Sequence, residues 1–117
     1  MSVEGDLFTV LKGLVGNRAY PDIAPQNPVL PFIVYQQVGG QPINFLSGVP
    51  DKRNGRFQIN VWAKTRSEAG SIIRQAEDAV RLSPTLLADT LNGALSRYEE
   101  TTGWYGSQQD FSIWFTT

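Results

Sequence analysis

Charged side chains carry whatever chemistry this 117-residue chain could do, because it contains no histidine and no cysteine. Serine–histidine and cysteine–histidine catalysis are therefore excluded within the chain, as are the common zinc sites. The acids include two adjacent pairs, Glu77-Asp78 and Glu99-Glu100. Neighbouring residues point apart on a helix or a strand, so neither pair is a preformed carboxylate dyad. The sequence predicts a protein that is not an enzyme and that uses no metal or cofactor.

Three basic residues stand close together in the chain: Lys52, Arg53 and Arg56. Two interpretations remain open, a solvated end of a loop and a contact with nucleic acid or an acidic partner. Three charges would supply a weak, salt-dependent attraction without sequence recognition. The formal net charge of −1 also provides no global basic field. We therefore expect no sequence-specific binding of nucleic acid.

Tryptophans occupy the polar side of two alternating segments. In "RFQINVWA", residues 56–63, apolar and polar positions alternate, but Trp62 stands among the polar ones. Trp114 does the same in "DFSIWF", residues 110–115. A period of two predicts half-buried strands, so both indoles should lie on the face that ought to meet water. The same face is expected to carry Tyr35.

Two explanations for these three aromatic residues remain open and can coexist. One is a local cross-strand cluster, worth about 0.2–1 kcal/mol per pair. The other is a protein interface, where tryptophan, tyrosine and arginine concentrate. Tyr35, Trp62 and Trp114 are therefore the candidate residues of a subunit or partner interface.

The chain order of helical and strand signals predicts one α+β domain over residues 1–117. The predicted elements are a helix over 3–15, strands over 32–38 and 55–63, a capped helix over 66–82, and hairpin arms over 94–102 and 108–116. Adjacent strands of this kind favour a single antiparallel or mixed sheet of about 4–5 strands, with two helices packed on one face.

A long loop over residues 39–54 separates the first two predicted strands. Its length and its glycine and proline content predict a mobile or functional segment. It carries apolar residues, among them Phe45 and Leu46, and its end carries the basic cluster. No apolar run approaches the roughly 20 residues that span a bilayer, and the N-terminus lacks a signal-peptide pattern. We expect a soluble product that contacts no membrane.

Three stretches together carry a resemblance to a known family. They are "YPDIAPQNPVLPFIVYQQVGGQPINFLSG", "RFQINVWAKTRSEAGSIIRQAEDAVR" and "TGWYGSQQDFSIWF". In this order and spacing, the chain resembles the small tail-completion proteins of long-tailed, double-stranded-DNA phages and prophages, in the tail-terminator-like group. The resemblance covers almost the whole chain.

The resemblance implies a structural protein of the virion, made in the cytoplasm of a bacterial host. Such proteins form a ring, commonly a hexamer, at the head-proximal end of the tail tube, and can remain monomeric until they meet it. The implied partners are further copies of the chain, the tail-tube protein and the head connector protein. DNA would pass through the lumen of the ring without sequence-specific binding.

The resemblance assigns no catalytic residue. The loop that holds Phe45, Leu46, Lys52, Arg53 and Arg56 could then project into the lumen or towards a partner ring, and the face around Trp62 could meet a neighbouring subunit. The alternative is a small cytoplasmic α+β binding module whose aromatic sheet face takes a peptide or an apolar ligand.

Overall fold

The computed structural model describes residues 2–42 and 52–116. The elements run in the order α1 (Val3–Leu11), β1 (Ala19–Pro21), β2 (Phe32–Gln37), β3 (Lys52–Ala63), α2 (Arg66–Leu82), β4 (Ala88–Thr90), β5 (Leu95–Glu99) and β6 (Trp104–Thr116). A 3-10 turn over Lys12–Leu14 extends α1. The predicted α+β class is confirmed, with six strands in the sheet in place of the predicted four or five.

The sheet is mixed. Its strand order is β1-β2-β3-β6-β4, and β5 pairs with β6 beside β4. Strands β1 and β2 are parallel, whereas every other pair is antiparallel. The long β3–β6 ladder forms the centre, so β1 lies at one edge and β4 and β5 share the other.

One face of the sheet forms the core with both helices, because apolar residues alternate along the central strands. Phe57 pairs with Phe111 across β3 and β6, and Ile59 pairs with Tyr35 across β3 and β2. Helix α2 packs against β3 and β6, and α1 packs against α2 and β1. The buried side of α2 carries Ala69, Ile72, Ile73, Ala76 and Val80.

Both helices begin at capped residues, as their sequences predict. Ser2 Oγ accepts a hydrogen bond from the Gly5 amide at 3.0 Å. Thr65 Oγ1 accepts one from the Glu68 amide at 3.1 Å, and Glu68 Oε1 accepts one from the Lys64 amide at 3.4 Å. These bonds satisfy amides that have no partner inside the helix. The Thr65 cap therefore fixes where β3 ends and α2 begins.

Thr65→Ala should lower the free energy of unfolding by about 1 kcal/mol, because it removes the hydroxyl that accepts from the Glu68 amide. Urea unfolding monitored by circular dichroism measures this loss. Ser67→Ala is the matched control, since Ser67 is exposed within the same first turn. Equal stability of the two variants would contradict the role of the cap.

The placement of Tyr35 on the polar face is wrong. Tyr35 is 3% exposed and belongs to the core cluster. Burial raises the pKa of its phenol, with smaller contributions from the Glu4 and Asp22 carboxylates. The error has a physical cause: "FIVY" is apolar on both faces of β2, so alternation alone could not fix the phase of this strand.

The position predicted for the basic cluster also needs correction. Lys52, Arg53 and Arg56 lie in β3, not at the end of a loop, because β3 begins at Lys52. Alternation along the strand puts Lys52 and Arg56 on one face and Arg53 on the other. Phe45 and Leu46 lie outside the described residues, as does most of the predicted 39–54 loop.

Candidate partner interface

The open face is the surface of the sheet opposite the helices. Trp62 lies on it, because its strand partners are Phe32 and Gly106, while its neighbours Val61 and Ala63 are fully buried on the other side. Trp114 pairs with Asn54 and shares the open face. Both indoles therefore occupy the face that alternation predicts. Their use as an interface remains a prediction.

Four aromatic rings cross the open face as one row, defined here as Tyr20, Phe32, Trp62 and Trp104. Trp104 meets Phe32 edge-on, with ring centroids 5.6 Å apart, and lies 6.3 Å from Trp62. Tyr20 lies 6.4 Å from Phe32. Aromatic pairs at such separations contribute about 0.5–1.5 kcal/mol beyond their area burial. Trp62 is thus held by neighbours within its own chain.

Trp114 does not join this row. Its strand partner Asn54 is eight residues from Trp62 along β3, roughly 26 Å at 3.3 Å per residue. The open face therefore carries two separate tryptophans, one near the β5–β6 hairpin and one near the opposite end of the sheet. Tyr35, in the core, meets neither.

A groove of about 390 Å³ runs over the aromatic row. The proline-rich segment after β1 forms one wall with Asp22, Ile23, Ala24 and Pro28, and the hairpin forms the other with Arg97 and Glu99. The floor includes Phe32, Val34, Gln58, Asn60, Trp62 and Trp104. A loop of the same chain thus walls in the aromatic floor, and Trp62 and Trp104 stay partly exposed there.

Gly106 leaves the space that the Trp62 indole fills. A Cβ on Gly106 would lie 2.8 Å from the Trp62 ring, closer than real Cβ contacts. Glycine in the interior of a strand usually marks such a close approach. Sequence reasoning read this glycine as part of a hairpin tip and therefore missed both Trp104 and the support of Trp62.

Gly106→Ala should lower the free energy of unfolding by about 1–3 kcal/mol, because the Trp62 indole must leave its position over the strand. The same displacement should shift tryptophan fluorescence to longer wavelength. Urea unfolding and emission spectra measure the two effects. Gly13→Ala serves as control, since a Cβ there meets nothing within 4 Å. Wild-type stability and an unchanged spectrum for Gly106→Ala would contradict this packing.

Polar contacts hold the rest of the open face. Arg56 donates from Nε and Nη2 to Oδ2 of Asp110, at 2.9 and 2.6 Å, and the Asp110 side chain is only 8% exposed. Asn54 Nδ2 donates to Ser112 Oγ at 2.8 Å. Arg56 is therefore engaged within the chain. Lys52 and Arg53 are both exposed.

Residues 2–42 and 52–116, the described part of the chain, meet the requirements of neither a metal site nor a membrane-spanning helix. No group of three or more acidic side chains in them could hold a metal ion. None of their helices is long and apolar enough to cross a membrane.

A family model described as "Tail completion protein gp17" matches residues 7–116. The chain belongs to this tail completion family. The match spans all the strands and most of α1, so it covers both the core and the open face. Family membership identifies a structural tail protein, confirms the family expected from the resemblance, and confirms a place in the virion. It also favours a non-enzymatic role.

A solved structure shows the same fold in another particle. A protein of the virion of a native gene transfer agent particle aligns with this tail completion protein at a TM-score of 0.75 and 17% identity, over 99% of this chain and 96% of that one. A crystal structure from Akkermansia muciniphila aligns at a TM-score of 0.40 and 11% identity, over 72% of this chain and 41% of that one. No curated protein sequence matches this chain.

Proposed function

We propose that this tail completion protein caps the head-proximal end of a phage tail tube as a ring of six copies and joins the tail to the head connector. The single observation that carries the proposal is the family match over residues 7–116. An aromatic groove on a sheet face without helices is consistent with work done by surface contacts. The groove is also the feature that would suit the alternative, a peptide-binding module, but family membership favours the structural role.

The dimensions of the subunit suit a ring with a narrow lumen. The protein measures 52 × 26 × 24 Å. In a six-membered ring, the distance from each subunit centre to the axis equals the spacing between neighbouring centres. Both cases place the 24 Å depth of the subunit towards the ring axis. Subunits packed side by side at their 26 Å width, with their long axes along the ring axis, would leave a lumen about 28 Å across. Subunits packed end to end along their 52 Å length would leave a lumen about 80 Å across. Only the narrower lumen surrounds a DNA duplex closely.

Side-by-side packing leaves the two ends of the central ladder free. One end is the β5–β6 turn over residues 100–103, and the other carries Lys52 and Arg53 beside the end of β6. We assign these ends to the tube and the connector, with Trp114 near the basic end as a partner contact. The two exposed cations at this end of each subunit, Lys52 and Arg53, add only weak attraction to passing DNA, which suits a duplex that must slide.

The face around Trp62 then belongs to the contacts between subunits. Trp62 and Trp104 form a partly exposed floor, and the groove walls include exposed Ile23. Tyr35 makes no such contact, because it is buried inside its own subunit.

Reconstitution tests the proposed function. Tails and DNA-filled heads are prepared separately from a phage that lacks the gene, and the purified protein is added to the tails. The proposal expects the protein at one end of each tail by gold labelling and electron microscopy, followed by joining when heads are added. Labelling along the whole tail, or at neither end, would contradict it. Bovine serum albumin at the same concentration is the control for unspecific joining.

A further inference from the structure

Six of the nine large apolar residues that are exposed in the described part of the chain lie on two opposite edges of the sheet. The β4–β5 edge, defined as Leu87, Leu91, Leu95 and Tyr98, flanks strands that pair only with β6. These side chains are 52%, 46%, 59% and 55% exposed. The proline edge, defined as Ile23 and Val29 on the segment after β1, lies beyond β2, and these residues are 80% and 62% exposed. Apolar side chains exposed along the edge of a sheet are available for contact with another protein.

Internal hydrogen bonds hold the β4–β5 edge in place. The Leu91 amide donates to the Asp110 carbonyl oxygen at 3.0 Å, and the Asp110 amide donates to Asn92 Oδ1 at 2.9 Å. Gln109 Nε2 donates to the Asn92 carbonyl oxygen at 3.0 Å and to Glu77 Oε1 at 2.7 Å. The exposed side chains therefore stand on a fixed backbone, which lowers the entropy cost of binding.

The proline edge is held in the same way. Arg18 Nε donates to the Pro31 carbonyl oxygen at 2.9 Å, and the Asp22 amide donates to the Tyr35 carbonyl oxygen at 2.9 Å. Four prolines between residues 21 and 31 restrict the backbone further and remove donors that could extend a sheet. This edge can pack side chains against a neighbour but resists adding another strand.

We propose that the β4–β5 edge of one copy packs against the proline edge of the next copy, and so closes the ring. This inference rests on the proposed ring. Two different surfaces on opposite sides of one chain suit a heterologous contact, in which each copy uses each surface once. The two edges lie at opposite ends of the strand order β1-β2-β3-β6-β4, so a contact between them sets copies side by side across their strands, the packing that gives the close-fitting lumen. A second copy is therefore the occupant that uses both surfaces together.

The contact would also explain the position of the aromatic groove. Ile23 belongs both to the proline edge and to the groove wall, next to the floor that Trp62 forms. A β4–β5 edge seated against Ile23 would lie along the rim of the groove. Trp62, in the lining of the same groove, then lies beside the contact, with its indole packed against Trp104.

Cysteine cross-linking tests the pairing cleanly, because the chain has no cysteine of its own. One variant combines Ile23→Cys with Leu95→Cys, and a second combines Val29→Cys with Leu91→Cys. Each is supplied to a phage that lacks the gene, and joined particles are purified and treated with a flexible bis-maleimide. The pairing predicts a ladder of covalent multimers on a denaturing gel for at least one variant, in steps of the 13.0 kDa chain.

Two controls separate the outcomes. Single-cysteine variants should give no ladder. In a heterologous contact, the cysteine on one edge faces the other edge of the next copy, which carries no cysteine. Ile23→Cys with Leu82→Cys should also give none, since Leu82 is 82% exposed but lies on neither edge. If joined particles form with each of the two test variants but show only monomers on the gel after cross-linking, the edge pairing alone is overturned. Absence of the wild-type protein from joined particles would overturn the proposed function and the pairing with it.

Discussion

Phe57→Ala should lower the free energy of unfolding by about 3–5 kcal/mol, the largest loss that we expect from a single substitution. Phe57 is fully buried, pairs with Phe111 across the central ladder, and meets Phe115 edge-on at 6.4 Å. Alanine would leave a cavity between the sheet and α2. Since small domains are stable by about 5–15 kcal/mol, the variant should retain only part of its stability.

Urea unfolding monitored by circular dichroism measures the Phe57 effect. Leu82→Ala is the matched control, because Leu82 is 82% exposed and its truncation should change stability by less than about 0.5 kcal/mol. A Phe57→Ala protein that unfolds at the same urea concentration as the control would contradict the core described here.

Trp62→Ala should reduce the yield of joined particles strongly while the protein remains folded. The expected loss of stability is about 1–2 kcal/mol, because the indole is only half-buried and packs against Trp104 and Gly106. The expected loss of binding is about 2 kcal/mol or more at each contact between copies, at least tenfold in affinity. A ring repeats that loss at every junction.

The measurements are thermal unfolding of the purified variant and the titre of a phage that depends on it. Trp62→Phe is the matched control, since it keeps an aromatic ring in the row and should restore most of the titre. A wild-type titre for Trp62→Ala, together with a lowered melting temperature, would show that the aromatic row serves only local packing.

Helices and strands could be predicted where the sequence shows a clear apolar periodicity, and most securely where a capping residue marks the boundary as well. Helix α2 has an apolar stripe and a cap at Thr65, and it spans residues 66–82 as predicted. Strand β3 has clear alternation, so the face of Trp62 followed from it. Strand β4 has three residues, too few to show a period, so alternation does not predict it.

The candidate site could be predicted only in part, because its other members depend on strand pairing. Trp62 and Trp114 follow from alternation, but Phe32 joins Trp62 only through the register of β2 against β3. Glycines stand on both sides of Trp104, so the sequence predicts a hairpin tip there. In the structure Gly103 has a positive φ of 74° and ends the turn, while Gly106 lies within β6 beneath an indole. A sequence pattern does not distinguish these two uses of glycine.

Tail length in a phage that lacks the gene tests the central claim most directly. A cap stops the growth of the tail tube and provides the surface that heads bind. Electron micrographs of such lysates should therefore show overlong tails without heads, next to DNA-filled heads without tails. Supply of the wild-type protein in trans should restore one tail length and joined particles. Tails of normal length, joined to DNA-filled heads in the absence of the protein, would contradict the account.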